Sequence, residues 1–152
     1  MAITSAVTIT FKAEMLKGLH SVDTSGATPA GNVFKIALYT SSATLGTTTT
    51  AYSASNEVSG TGYTAGGNTL TNTGVVTTTT NSFTDFSDTS LTSASFTARG
   101  CLIYNTDVLT RFTTNRSVCT IDFGGNKTVS SGTFTIQFPT NDASDAIIRI
   151  TS

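Results

Sequence analysis

Thr133–Phe138 reads TFTIQF. Phe134, Ile136 and Phe138 alternate with Thr133, Thr135 and Gln137, the period of a strand with one face buried and one wet. The stretches around it repeat the theme. Arg116–Phe123 alternates Val118, Thr120 and Asp122 against Cys119, Ile121 and Phe123. In Val33–Thr40, Phe34, Ile36 and Leu38 form a core face and Lys35, Ala37 and Tyr39 a mixed one. Leu91–Arg99 and Cys101–Asn105 are strand-like, with Gly100 between them as a bulge or bend. Gly124–Gly125–Asn126–Lys127 reads as a hairpin turn after Phe123.

Shorter strands are expected in Asn68–Asn72, Gly74–Thr80, Ser82–Phe86 and Ala146–Ile150. Thr77–Thr80 has no interior apolar residue and suits a sheet edge. Roughly eight or nine strands with Gly, Asn, Asp and Ser turns between them make an all-β pattern. No helical stretches separate the strands, which excludes a parallel βαβ fold. The expected architecture is an antiparallel β-sandwich, jelly-roll or Ig-like, spanning residues 1–152 as one domain. Its expected core is Phe34, Ile36, Leu38, Phe96, Ile103, Ile121, Phe134, Ile136, Phe138 and Ile148.

One helix is expected, over Phe11–His20. Phe11, Met15, Leu16 and Leu19 fall on its buried face, Thr10 caps it, and Gly18 shortens it. Two stretches read as loops: the turn-rich Thr24–Asn32 and the long polar Ser41–Gly67. The second ends in a glycine cluster, Gly60–Gly67, that reads as mobile.

The 152-residue chain carries 11% charged residues against a usual ~25%, and its net charge is −1. Thr and Ser fill the gap, at about a third of the chain. Nine Phe and four Tyr are too many for a disordered linker. No cluster of Lys or Arg exists to displace counterions from nucleic acid or to hold an anionic membrane, so neither is an expected partner. No apolar run approaches the ~20 residues of a membrane span. Met1–Thr10 lacks the basic and apolar regions of a signal peptide, which points to synthesis in the cytoplasm.

The residues offer little chemistry. His20 is the single histidine and has no second one with which to build a metal site. Cys101 and Cys119 lie in apolar surroundings and read as reduced, inert, buried thiols. Asp85 with Asp88, and Asp142 with Asp145, are carboxylate pairs. The chain has no Trp platform beside them, so turn and solvated roles are expected. Gly60–Gly66 has neither the P-loop lysine nor a following helix. The expectation is no catalytic residue, no cofactor and no metal.

Five stretches taken together are similar to a known family. They are FKAEMLKGLH (Phe11–His20), FKIALYTSSATLG (Phe34–Gly46), AYSASNEVSGTGYTAGGNTLT (Ala51–Thr71), SFTARGCLIYN (Ser95–Asn105) and FTIQFPTNDASDAIIRI (Phe134–Ile150). The chain resembles small tailed-bacteriophage virion structural proteins. Ser21–Asn32, Asn72–Ala94 and Thr106–Gly132 carry no family pattern.

The resemblance implies a virion protein made in the host cytoplasm. It transfers no catalytic residue. A capsid decoration (cement) protein is the first expectation and a tail or baseplate component the second. Expected partners are the major capsid protein or other virion proteins, and further copies of the chain. Contact candidates are Tyr52 and Tyr63 in the long loop and Ile3 and Val7 in the amino-terminal arm. Tyr gives contact area at low entropic cost, and a β-prone terminus can extend a neighbour's sheet.

Overall fold

The computed structural model describes residues 2–24, 31–107 and 113–151. The frame is a pair of long antiparallel strands, β6 (Thr89–Asn105) and β7 (Arg116–Ile136). Before them come β1 (Ala6–Val7), α1 (Ile9–Leu16), β2 (Phe34–Tyr39), β3 (Asn68–Thr69), β4 (Val76–Thr77) and β5 (Asn81–Thr84); β8 (Ile148–Thr151) follows. One sheet has the order β1-β7-β6-β2-β3 and the other β4-β5-β8. All pairings between strands are antiparallel, so the chain is an all-β sandwich with one short helix near its amino end. β4 is an edge strand, but of the Thr-rich run only Thr77 belongs to it; Thr78–Thr80 form the connection to β5. The expected turn over Thr24–Asn32 and the connection Thr106–Asn115 lie partly outside the described residues. Among the described residues, no helix is long and apolar enough to cross a membrane.

All ten expected core residues join one cluster between the sheets. Seven are buried. Ile121, Phe134 and Phe138 pack at its margin and keep part of their surface exposed. Phe34 meets Phe86 at 5.6 Å between ring centroids, Phe86 meets Phe138 at 5.7 Å, and Phe96 meets Phe134 at 5.1 Å. Tilted rings at these separations are favourable beyond the area they bury.

The mixed face expected of β2 is instead a second core. Ala37 and Tyr39 are buried with Ile3, Ala43, Leu102 and Tyr104. The amino-terminal arm and the loop after β2 supply the cover. A strand covered on both faces loses its alternation, which is why FKIALY and CLIYN read as near-continuous apolar runs.

Gly124–Asn126 is not the expected hairpin turn. β7 runs through it. Between the pairs Ala98↔Lys127 and Gly100↔Asp122, β6 advances two residues and β7 advances five. The surplus on β7 is a bulge, with Gly124 at φ +72°. A bulge and a tight turn both demand positive φ, so the same residues signal either. The irregularity at Gly100 is as expected.

The helix begins two residues early. Thr8, rather than Thr10, is the cap, and its Oγ1 accepts the Phe11 N–H at 3.3 Å. It ends where Gly18 turns to φ +66°: the Gly18 N–H donates to Met15 O and the Leu19 N–H to Glu14 O, both at 3.0 Å. This is the paired closure that glycine permits past a helix end. The inward stripe is Phe11, Glu14 and Met15. Leu16, expected inside, is 92% exposed. Glu14 takes the inward position because two partners wait for it there.

Candidate functional site

Glu57 is one of two glutamates in the chain. Its Oε1 accepts from the Tyr63 hydroxyl at 2.6 Å and from the Gly66 N–H at 2.7 Å, and its Oε2 accepts from the Tyr52 hydroxyl at 2.6 Å. Tyr63 also accepts the Leu38 N–H at 2.9 Å. The Tyr52 ring stacks on Tyr104 at 4.7 Å, and the Tyr104 hydroxyl donates to Gly66 O. Tyr39 donates to Ser53 O at 2.6 Å. All four tyrosines thus fasten the loop between β2 and β3 to the sheet. Burial pushes their ionisation upward, that of Tyr104 to about 12.

The glycine cluster is part of this fastening and not a mobile loop. Gly67 lies at φ +68°, and a Cβ there would stand 1.8 Å from Ile36 O. Only glycine lets the loop approach β2 so closely.

The four expected contact residues are therefore employed within the chain. Ile3 is 4% exposed, which leaves a partner nothing to touch. Val7 pairs with Cys119 and packs against the core. The arm does extend a sheet, but the sheet is its own. Tyr52 and Tyr63 are half-buried, with hydroxyls and rings committed to Glu57, Tyr104 and Phe96.

A second polar cluster joins α1 to the Asn105 and Arg116 ends of the long strands. Glu14 Oε1 accepts from Arg116 Nε at 2.8 Å and also pairs with its terminal nitrogen. Glu14 Oε2 lies 2.8 Å from His20 Nε2. The other ring nitrogen, Nδ1, lies 2.9 Å from Asn105 Nδ2. Asn105 donates to Asn32 Oδ1 at 2.9 Å, and Asn32 donates to Asp107 at 3.0 Å. Burial lowers the His20 pKa below its usual value, and Arg116 adds to this while Glu14 opposes it. The His–Glu spacing is that of a general-base pair. Both ring nitrogens, however, engage structural groups, and the ring is buried.

Among the carboxylate pairs, Asp142 accepts the Ser144 and Asp145 N–H groups in a turn, whereas Asp88, just before β6, accepts the Phe138 N–H just past β7. Asp85 departs from the expected solvated role. It is 0% exposed and accepts the Phe86 and Ile147 N–H groups at 2.8 and 3.2 Å. Cys101 and Cys119 are buried free thiols on neighbouring strands. Burial raises both, Cys119 to about 12, which removes them from thiolate chemistry near neutral pH.

One open apolar surface lies at the far end of the long strands. Ile121, Phe123, Phe134, Phe138, Pro139 and Ile147 line most of a groove of about 500 Å³. Beside it, the exposed hydroxyls of Ser90 and Thr135 meet at 2.9 Å and those of Thr97 and Thr128 at 2.8 Å. Lys127 is the one charged residue in Thr89–Ala98 and Lys127–Ile136. Sequence reasoning missed this groove because Ile121, Phe134 and Phe138 read as plain core positions. The bulge at Gly124 that leaves Phe123 at the margin was read as a turn. The Glu14–His20 cluster did leave a signal: the single histidine and a scarce glutamate, six residues apart in a charge-poor chain.

No protein-family model, curated protein or solved structure matches the chain significantly.

Proposed function

We propose that this protein is a phage virion structural subunit, a capsid decoration protein that binds the assembled head shell and ties neighbouring capsid subunits together. The family resemblance of the five sequence stretches suggests the virion. The observation that carries the binding role is the far end of the β6–β7 pair: a preorganised, almost uncharged hydroxyl face beside an aromatic groove. Depletion of charge and enrichment of aromatics mark the centres of protein interfaces. A rigid sheet loses little entropy on docking.

The mechanism is mass action. A protein that binds the finished lattice and not free subunits stabilises the lattice by its binding free energy. Cryo-electron microscopy of intact particles tests the proposal. Density for the fold in regular array on the head is the expected result. Density on the tail or baseplate overturns the decoration role, and absence of the protein from purified particles overturns the virion role.

A further inference from the structure

We propose that the outer edge of β7, beside the aromatic groove, is a strand-acceptor site: it takes an extended segment of a partner protein with apolar residues at alternate positions and a carboxylate that meets Lys127.

Phe134, Thr135 and Ile136, the last three residues of β7, all line the groove, with Gln137 and Phe138 after them. Successive side chains of a strand point to opposite faces, so a cavity that touches all three lies along the strand's edge rather than over one face. It is the edge away from β6. The three residues pair with Leu91, Ser90 and Thr89, and none of those lines the groove. β1 covers that edge only at Cys119 and Thr120, and Ser5 Oγ accepts the Asp122 N–H just beyond. From Phe123 to Ile136, no strand of the described residues pairs with it. Ile147, just ahead of β8, and Ile121 and Phe123 supply further apolar walls. Phe123 and Phe134 approach to 6.3 Å between ring centroids.

An edge strand carries a row of N–H and C=O groups with no ladder partner, and chains ordinarily blunt such edges with charges or proline. Thr128–Phe138 has neither. Free backbone groups select an extended peptide, and an apolar groove beside them selects alternate apolar side chains; strand addition uses both. Lys127 adds a charge requirement. It is exposed, lines the groove and takes part in no ion pair among the described residues. An acidic residue on the incoming segment complements it.

A second copy of the chain does not meet these terms. Its exposed large apolar residues are Ile9, Leu16, Val33, Val75, Val76 and Ile150, and no two of them lie two positions apart in a strand of the described residues. The segment therefore comes from another protein. The inference rests on the proposed function only in treating the groove as a contact surface.

NMR titration of the whole chain with the capped peptide Thr-Val-Thr-Val-Thr-Glu tests the site on the free protein. Amide signals of Lys127 and of Thr133–Phe138 should move, with a dissociation constant below about 1 mM. Replacing the peptide's Glu by Lys should weaken binding at least about threefold, and Lys127→Ala should remove that preference. Alternate N–H groups of a strand point to opposite edges. Of two peptides N-methylated at both Val or at the two inner Thr, one should therefore lose binding and the other keep it. No shift at these amides, equal binding of the two methylated peptides, or a Glu-to-Lys preference that survives Lys127→Ala overturns the proposal. Shifts of the same amides with protein concentration alone would mean that a second copy fills the edge, and overturn it too. Absence of the protein from particles would end the virion reading and leave peptide binding standing. Presence on particles with a peptide that does not bind would end strand addition alone.

Discussion

The two ends of the β6–β7 pair share one ladder and differ in what covers them. At one end, Gly100–Asn105 and Ser117–Thr120 are buried without a break. The inner core lies on one side, and Ile3, Ala43 and the tyrosine-fastened loop lie on the other. At the far end, Thr89–Ala98 mixes buried and open positions, and Lys127–Thr135 is exposed or half-buried throughout. The same pairing thus yields a structural anchor at one end and a presenting surface at the other. The difference comes from the chain's additions, an arm, a helix and a loop, all of which gather at the first end.

Core truncation should separate the ends most strongly. Ile103 is fully buried, and Ile103→Ala should cost about 4 kcal/mol. A buried Phe→Ala costs ~3–5 kcal/mol, but Phe134 keeps part of its surface in water, so Phe134→Ala should cost about 2 kcal/mol. Urea denaturation measures both. If Phe134→Ala proves the more damaging, the far end is no mere margin of the core and the comparison collapses.

Charge should follow the same gradient. Glu14 is buried and bound by Arg116 and His20, so Glu14→Ala should destabilise by about 3 kcal/mol. Arg99 and Asp122 pair at 3.1 Å with about a quarter of each side chain exposed, and Asp122→Ala should cost only about 0.5 kcal/mol. A double-mutant cycle of Glu14 with Arg116 sharpens the claim. A coupling no larger than that of Arg99 with Asp122 would show that the cluster merely fills space.

Much of this contrast was legible in the sequence, and its gaps have physical causes. Apolar patterning across the strands, clearest in TFTIQF, placed all ten core residues in the cluster, because period-two burial survives wherever one face meets water. It could not show that Ala37, Tyr39, Leu102 and Tyr104 form a second core. Small and aromatic residues are equally at home on a wet face, and the cover arrives from residues far along the chain. Glycine chemistry was read correctly at Gly18 and Gly100 but not at Gly124, where turn and bulge require the same φ. Tyr52 and Tyr63 looked like contacts because tyrosine suits interfaces. The same amphipathic ring suits a fastening between loop and sheet when a carboxylate is at hand.

A smaller effect concerns pH and sets the helix cluster against the second sheet. Burial raises the Asp85 pKa, opposed by the Phe86 and Ile147 N–H groups. A carboxyl with a raised folded pKa contributes stability below its unfolded pKa and loses it as pH rises through the folded one. His20 has the opposite sense. Asp85→Asn removes the buried charge, so the variant should gain on the native chain as pH rises from about 4 towards neutrality. Urea midpoints across that range measure the difference. A difference that stays constant with pH would mean that Asp85 is held by its two N–H bonds with no net desolvation cost.

The smallest effect on stability bears most directly on function. The Thr97–Thr128 hydroxyl pair is exposed, so water can replace each hydroxyl when its partner is removed. Thr97→Ala with Thr128→Ala should therefore change stability by no more than about 0.5 kcal/mol. The face would lose its cross-strand hydroxyl array while the sheet beneath stays intact. If this end of the strands meets the capsid, the double variant should occupy particles less fully than the native chain at equal concentration. Ser90→Ala with Thr135→Ala should do the same, and quantitative gel densitometry of purified particles reads both. Wild-type occupancy for both pairs, with stability unchanged, would remove the hydroxyl face from the interface and leave the aromatic groove as the contact. A stability loss above about 1 kcal/mol would break the comparison itself, because the far end would then be held by its surface hydroxyls as firmly as the near end is by its core.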